Sequence, residues 1–343
     1  MPTYSIFGDS LRSEITLPEL RRSRKHARWT LRIGVVAPSP TADGAELLGS
    51  ENVMDGVDVR LYRVPNGYRL QYDDTGLFDI SADGRDIVWS GNGNGHSDGL
   101  LDAVRLDVIN RVLPVALHAA GALCLHGSAV SLNGKAIAFL APRGHGKSSL
   151  ALALSQIGGR ILTDDALPVE PGVPGRGKVA AARPGVHSVR LFDDTARVVL
   201  GDPQNWRRVG AYPLPRRDRH LQRADEPMIT KQILRGIPLH KLMMRTVPLA
   251  AVYVLRPVRD DADRAVITRT TLPPVRAALA LVEHAKSGAL LGRSEAPRLL
   301  ERAVVVARQV PVHVLEIVRD LSRIDEAARE LAGWHVRTNG RYV

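Results

Sequence analysis

The chain has 343 residues, of which 44% are hydrophobic and 24% are charged, as is ordinary for a soluble globular protein. Its formal net charge of +11 suits acidic partners such as nucleotides or an acidic peptide. No nucleic-acid-binding signature accompanies that charge, so nucleic acid is not expected as a partner. Cys124 is the one cysteine, which excludes an intramolecular disulfide, and no apolar run is long enough for a signal peptide or a membrane span. We therefore expect a cytoplasmic protein without a membrane partner.

Residues 1–96 are predicted to form a small β-rich module. From Arg28 to about Ser90 apolar and polar residues alternate, which is typical of half-exposed strands, and Asn66-Gly67 and Asp83-Gly84 favour tight turns between them. The glycine–asparagine stretch GNGNGH at 91–96 is expected to mark a domain boundary.

Residues 97–343 are predicted to form one larger domain that begins with an apolar-periodic helix bent near Pro114. Two strand-like runs follow, ALCLHGSAVSL and KAIAFLA, and Asn133-Gly134 between them is a strong hairpin signal. The second run leads through FLAPRGHGKSS into the helical pattern SSLALALSQIG, and RILTDDALPV is then predicted to be a strand that ends in two acids. Because an antiparallel hairpin precedes the glycine-rich turn, we expect a mixed sheet.

The rest of the domain gives a clear pattern only in its last hundred residues. Residues 171–245 are rich in Pro, Gly and Arg and show little periodicity, and the arginine-rich run at 206–223 is interpreted as a solvated loop or as a grip on an acidic ligand. PLAAVYVLRPV and VPVHVLEIV are predicted strands. PPVRAALALVEHAK, EAPRLLERAVVVARQV and SRIDEAARELAG are predicted helices.

The stretch 139–149 is predicted to be a phosphate-binding loop. Such a loop needs glycines that let backbone N–H groups wrap a polyphosphate, a lysine for the phosphate oxygens and a hydroxyl for Mg²⁺. Ala141 replaces the first glycine of the GxxxxGK[ST] pattern, where a small residue is expected to suffice. The predicted nucleotide-binding residues are Arg143, Gly144, His145, Gly146, Lys147, Ser148 and Ser149.

Two further features are candidates for the chemistry. Asp164-Asp165 follows the predicted loop and helix, and adjacent acids there can divide the work of a general base and a metal ligand. His126 lies on the strand that the hairpin folds back beside the loop, so we expect its imidazole near the phosphates. On their own, the acids would be read as a turn or helix cap, and the histidine as a structural residue.

These features occur in the same order in a known family. LHGSAV, APRGHGKSSLALAL and LTDD resemble the histidine strand, the phosphate loop and the paired aspartates of the HPr kinase/phosphorylase family. The chain is more similar to the shorter HPr-kinase-related serine kinases of bacterial ribosomal-peptide clusters, which include lasso-peptide precursor kinases. The resemblance extends from about Leu101 to the end of the chain.

The resemblance implies an α/β (α+β) fold with a mixed-sheet P-loop kinase core of the HPr-kinase and carboxykinase type. It implies ATP and Mg²⁺ as cofactors, with Lys147 and Ser148 as their ligands, and a peptide or small-protein substrate with an acceptor serine. In that family pattern Asp164 is the base, Asp165 joins Ser148 at the metal, and His126 contacts the transferred phosphate. A homo-oligomer is also implied.

The chain departs from the family pattern at two places. Ala181-Ala182-Arg183 stands where the family has a metal-binding glutamate before its arginine, and the family's second glycine-rich loop has no counterpart. Both differences argue against HPr as substrate and against phosphorolysis of phosphoserine. Three alternatives to a peptide kinase stay open: an HPr(Ser) kinase/phosphorylase, an ATP-binding regulatory module without transfer activity, and a small-molecule kinase or carboxykinase-like enzyme.

Overall fold

The structure is a computed structural model that describes residues 1–34, 44–54, 56–91, 98–172, 179–186, 189–191, 193–200, 207–213, 230–235, 237–261 and 264–336. Its contacts divide the chain into two compact units. The first unit includes Met1–Cys124 and Ala285–Arg302, and the second includes Leu125–Pro213, Pro227–His284 and Ala303–Val343. The predicted GNGNGH boundary lies almost wholly outside the described residues, so a domain division near residue 96 stays a prediction.

The first unit contains a nine-stranded mixed sheet in the order β3-β1-β2-β4-β9-β8-β7-β6-β5. The alternating pattern predicted β4 and β6–β8, whereas the strands before residue 23 were missed. Large aromatic side chains such as Trp29, Trp89 and Phe78 are fully buried in this unit. Its strands are β1 (Thr3–Ile6), β2 (Asp9–Ser13), β3 (Arg21–Arg22), β4 (Trp29–Ile33), β5 (Glu46–Met54), β6 (Val57–Val64), β7 (Gly67–Tyr72), β8 (Gly76–Ser81) and β9 (Asp86–Ser90).

The helix predicted after the boundary is interrupted close to Pro114. Helix α1 (Asp98–Asp107) continues into a π-helical turn at Val108–Val112 and then into α2 (Leu113–Ala119). Pro114 has no backbone N–H to donate, so the change of hydrogen-bond pattern at this point has a direct cause in the sequence.

The remaining strands form a seven-stranded mixed sheet, in the order β11-β10-β12-β13-β17-β19-β18, and a three-stranded sheet, in the order β14-β16-β15. Strands β11, β17 and β19 run parallel to one another, while β10 pairs antiparallel with β11. The expected mixed sheet is therefore confirmed. The strands are β10 (Leu123–Leu132), β11 (Lys135–Leu140), β12 (Arg160–Glu170), β13 (Ala181–Ala182), β14 (Val189–Leu191), β15 (Arg207–Pro213), β16 (Thr230–Arg235), β17 (Val247–Val258), β18 (Ile267–Thr271) and β19 (Val312–Val318).

The hairpin signal at Asn133-Gly134 is confirmed, because both residues have positive φ, 50° and 78°, as a two-residue type I′ turn requires. The prediction for the acidic strand needs a correction. Strand β12 does not end at Asp164-Asp165 but continues to Glu170, so the two acids lie in its middle. They interrupt the strand's regular geometry, since Asp165 has a φ of 128°.

Helices α3, α4 and α7 pack on the seven-stranded sheet. Side chains from β11, β17, β19, α3 and α7 share one apolar core, in which Phe139 and Tyr253 stack with ring centroids 6.2 Å apart. No helix within the described ranges combines the length and apolarity needed to cross a bilayer. The helices are α3 (Lys147–Gln156), α4 (Asp193–Leu200), α5 (Pro274–Glu283), α6 (Gly288–Gln309, interrupted at Gly292) and α7 (Ile324–Val336), with 3-10 turns at Leu239–Lys241 and Leu321–Arg323.

Candidate active site

The predicted phosphate loop joins the end of β11 to the beginning of α3. Gly144 and Gly146 have φ values of 83° and 85°, a left-handed conformation that glycine adopts without strain. Ala141, at the position where the motif has its first glycine, is fully buried and is not among the residues with positive φ. The backbone at this position therefore does not require glycine, and the departure from the motif costs the loop nothing.

The ammonium group of Lys147 lies inside the loop. Its Nζ donates to the carbonyl oxygens of Ala141 at 2.7 Å and Pro142 at 3.1 Å, and the residue is only 8% exposed. On the same loop the His145 ring donates from Nδ1 to the carbonyl oxygen of Arg143 at 3.0 Å. A positive charge is thus enclosed by the turn that begins a helix, where backbone N–H groups also favour an anion.

Ser148 connects the loop to the first of the two acids. Its Oγ donates to Asp164 Oδ1 at 2.7 Å, and the Oγ of Ser128 donates to the same oxygen at 2.5 Å. Ser128 is fully buried, and sequence reasoning did not identify it. A signal was available, because Ser128 is two residues after His126 and the two side chains share one face of β10.

The second acid meets the predicted histidine. Asp165 Oδ1 lies 3.2 Å from His126 Nδ1, and the imidazole is 38% exposed. In a regular strand the neighbours Asp164 and Asp165 would point to opposite faces of the sheet, yet they contact Ser128 and His126, which lie on one face. The positive φ of Asp165 accounts for this, since a local break in the strand lets both carboxylates reach the same side.

A second histidine, not predicted from the sequence, belongs to the same surroundings. The carbonyl oxygen of His284 accepts a hydrogen bond from the backbone N–H of His126 at 2.7 Å, which ties α5 to the strand that carries His126. Burial lowers the pKa of His284, Glu283 opposes this shift and the positive charge of Lys147 adds to it. His284 is therefore a neutral group near Lys147 at pH 7.

The donors at Ser148 and Asp164 suit a magnesium ion. A hydroxyl and a carboxylate are hard oxygen ligands, and Mg²⁺ usually takes only one or two protein groups and completes its shell with water and phosphate oxygens. No cluster of three His, Cys, Asp or Glu side chains that could hold a metal occurs among the described residues. The resemblance places Asp165 at the metal, whereas Ser148 contacts Asp164.

Other predicted residues have distinct positions. Gly144–Ser149 line a cavity of about 350 Å³. Arg183 donates from its Nη1 to Glu170, the last residue of β12, at 2.9 Å. The structure therefore brings together two groups of predicted residues, Lys147 with Ser148 and Asp164, and His126 with Asp165. Most of the arginine-rich run 206–223 falls outside the described residues.

Comparisons with known proteins add little to this geometry. No family model and no curated protein matches the chain. Among solved structures, the HPr(Ser) kinase/phosphatase from Coxiella burnetii is similar over 63% of this chain and 99% of that chain, with 10% sequence identity and a TM-score of 0.30. A likeness of that size carries no functional argument. The chain has a mixed α/β fold in which Ser128 and Ser148 contact Asp164, and His126 contacts Asp165, the next residue of β12.

Proposed function

We propose that the protein is an ATP- and Mg²⁺-dependent kinase that transfers the γ-phosphate to a serine hydroxyl of a peptide or small protein. The observation that carries this proposal is the contact of Ser148 Oγ with Asp164 at 2.7 Å beside the His126–Asp165 pair. A phosphate loop supplies cations and amides for a polyphosphate, and phosphoryl transfer needs little more than such positioning and charge stabilisation.

Each residue has a role in the proposed reaction. Lys147 and the loop amides bind the phosphates, and Ser148 with Asp164 would hold Mg²⁺, which neutralises developing negative charge. Asp165 accepts the proton of the serine hydroxyl while the serine oxygen bonds to the γ-phosphorus and the bond to the β-phosphate oxygen breaks, releasing ADP. His126 orients Asp165. This assignment exchanges the roles that the resemblance gives to the two aspartates, because Ser148 contacts Asp164.

The substrate class follows from the chain's charge and from the departures in its sequence. A net charge of +11 favours an acidic polypeptide, and the missing glutamate before Arg183 argues against HPr. A ribosomally made precursor peptide, such as that of a lasso peptide, is therefore the first substrate to test, and HPr is the second.

The test is a transfer assay with ATP, Mg²⁺ and each substrate, read by mass spectrometry as the gain of one phosphate. Wild type is expected to label a serine of the peptides encoded beside this gene, and Lys147→Ala is expected to label nothing. Lys135→Ala, at the exposed end of the hairpin, is the matched control and should retain full activity. Labelling by Lys147→Ala at the wild-type rate would exclude the proposal, and labelling of HPr alone would reverse the substrate order.

A second candidate is an ATP-binding regulatory module that transfers no phosphate. The substitution of alanine for the family's metal-binding glutamate favours it, whereas Ala141 no longer does, because the backbone there does not need glycine. This candidate predicts tight ATP binding by wild type without ADP formation in the presence of any of the substrates. Free ADP and phosphoserine in the transfer assay would eliminate it.

A further inference from the structure

One wall of the cavity beside the phosphate loop has no part in the roles assigned so far. The loop residues Gly144–Ser149 form one side of this space of about 350 Å³. The rest of the lining consists of Leu191, Thr195, Pro257, Ile317, the turn that follows β19 and the beginning of α7. The segments at and after the ends of β17 and β19 are called the apolar wall below. The volume lies within the range of about 300–1,000 Å³ that is usual for small-molecule sites.

The topology of the sheet explains why these segments meet. Strands β11, β17 and β19 are parallel, and Leu140 pairs with Val254 while Val258 pairs with Val318. The segments that follow the three strands therefore leave the same edge of the sheet, the edge at which open α/β sheets bind ligands. The loop follows β11, Pro257 lies at the end of β17, and Arg319–Leu321 follow β19.

The two sides of the cavity differ in chemistry. The loop side offers backbone N–H groups, hydroxyls and the positive end of α3, which suit phosphate. Beyond the loop, the apolar lining residues are Leu191, Pro257, Ile317, Val318, Leu321 and Ile324, and the polar ones are Thr195, Arg319 and Asp320. Pro257 and Leu321 are only half-buried, so part of this apolar surface is open. Asp320 on this side is held by hydrogen bonds from the N–H and Oγ of Ser322, both at 2.8 Å, which fix the turn.

We infer that this apolar wall binds the base and ribose of the nucleotide whose phosphates occupy the loop. The nucleoside is the expected occupant because it is covalently joined to the phosphates, and the loop residues that would bind those phosphates line the same cavity as the apolar wall. The flat aromatic faces of adenine are the part of ATP that gains from leaving water against Leu321 and Pro257. The inference rests on the nucleotide site of the proposed function but not on phosphate transfer.

The experiment compares two ligands by calorimetry: ATP, and inorganic tripolyphosphate as a probe of the phosphate part alone. Wild type is expected to bind ATP at least about tenfold more tightly than tripolyphosphate. Leu321→Ala should weaken ATP binding about fivefold to tenfold and leave tripolyphosphate binding unchanged. Pro257→Ala, on a different segment, should act in the same direction even if the turn at 321–323 is sensitive to substitution.

The controls separate this inference from the function itself. Val275→Ala removes an exposed apolar side chain of α5 and should change neither dissociation constant. Lys147→Ala should weaken the binding of both ATP and tripolyphosphate. Two results would overturn the apolar wall as the nucleoside site: equally weakened binding of both ligands in Leu321→Ala and Pro257→Ala, or no effect of either substitution. Neither result would argue against phosphate binding by the loop. A wild-type protein that binds neither ligand would overturn both proposals.

Discussion

Each compact unit contains a cluster of side chains around a buried carboxylate, and the hydrogen-bond partners of that carboxylate differ between the two units. In the first unit Glu295 is fully buried and accepts hydrogen bonds from Arg63, Tyr68, His118 and Arg298. In the second unit Asp164 accepts from the hydroxyls of two serines, and Asp165 contacts a partly exposed imidazole beside a loop that lines a cavity.

The chemistry of the first cluster is that of a structural ion network. Burial raises the pKa of Glu295, but hydrogen bonds from His118 and Arg63 outweigh burial, so the pKa is lowered overall. Burial and Arg302 lower the pKa of His118 to about 4, so the ring is neutral at pH 7. Because Arg302 donates to its Nδ1 at 3.1 Å, the ring carries its proton on Nε2 and donates to Glu295.

The comparison shows that burial of a charge does not by itself identify a functional site. Glu295 is matched by guanidinium groups, an arrangement that fixes structure. Hydroxyls that contact a carboxylate can instead be exchanged for a metal ion or for a substrate oxygen. Substitutions in the two clusters should therefore differ in effect, with loss of activity from the Asp164–Asp165 cluster and loss of stability from the Glu295 cluster.

The largest effect is expected from the aspartate pair. Asp165→Asn removes the proposed base and should lower kcat about 1,000-fold with little change in the affinity for ATP. Asp164→Asn should instead raise the Mg²⁺ concentration needed for half-maximal rate, since it removes a metal ligand. Steady-state kinetics over a magnesium series distinguish the two variants. If both variants shift only the magnesium requirement, the proposed roles are wrong.

Glu295→Ala is expected to destabilise the protein by about 3–5 kcal/mol, because it leaves the buried Tyr68 hydroxyl and His118 ring N–H without their acceptor. Chemical denaturation measures this change in the free energy of unfolding. Glu301→Ala, at an exposed position of the same helix, is the control and should change stability by less than about 0.5 kcal/mol. A stable Glu295→Ala variant that has lost phosphate transfer would assign a functional role to this cluster and contradict the comparison.

A smaller effect concerns Asp107, whose Oδ2 accepts a hydrogen bond from Thr75 at 2.7 Å. Burial raises the pKa of Asp107 from the ordinary aspartate value of about 3.9 to about 7. The folded protein therefore keeps a proton that the unfolded chain loses, and stability falls as pH rises between these values. Asp107→Asn should add up to about 4 kcal/mol at pH 9 and nothing below pH 4, measured by denaturation against pH. Asp86→Asn, at an exposed position, is the control and should change stability by less than about 0.5 kcal/mol.

The smallest effect is expected at Ser128. Ser128→Ala removes one hydrogen bond to Asp164 and should cost about 1 kcal/mol of stability, with a decrease in kcat of about tenfold. Ser128→Thr keeps the hydroxyl and should retain more activity. Ser131→Ala is a matched control on the same strand, because its buried Oγ finds no partner in the described part of the protein. An equal loss of kcat in the two alanine variants would remove Ser128 from the site.

Local chemistry made part of the fold predictable. Asn133-Gly134 specifies a turn through its own backbone preferences, and the strands on either side of it were found from their apolar runs. The extent of β12 was not predictable in this way, because two adjacent acids resemble a strand end, and only pairing with neighbouring strands carries the chain onward to Glu170.

The residues of the candidate site were likewise predictable from the sequence only in part. The loop and the acids are continuous motifs, so their residues could be named from the sequence. Ser128 and His284 depend on register and on the packing of α5, and the Glu295 network joins residues far apart in the chain. The cavity wall at Leu321 follows a parallel strand, a position that could have been considered once the strand order was known.

The central claim is that the loop and the acidic pair form one site for phosphate transfer. A crystal structure with Mn²⁺ and a non-hydrolysable ATP analogue, with the metal located by anomalous scattering, tests it most directly. We predict Mn²⁺ bound by Ser148 Oγ and the Asp164 carboxylate, with the γ-phosphate between Lys147 and Asp165. A nucleotide bound away from the loop, or a metal that contacts neither Ser148 nor Asp164, would contradict the claim.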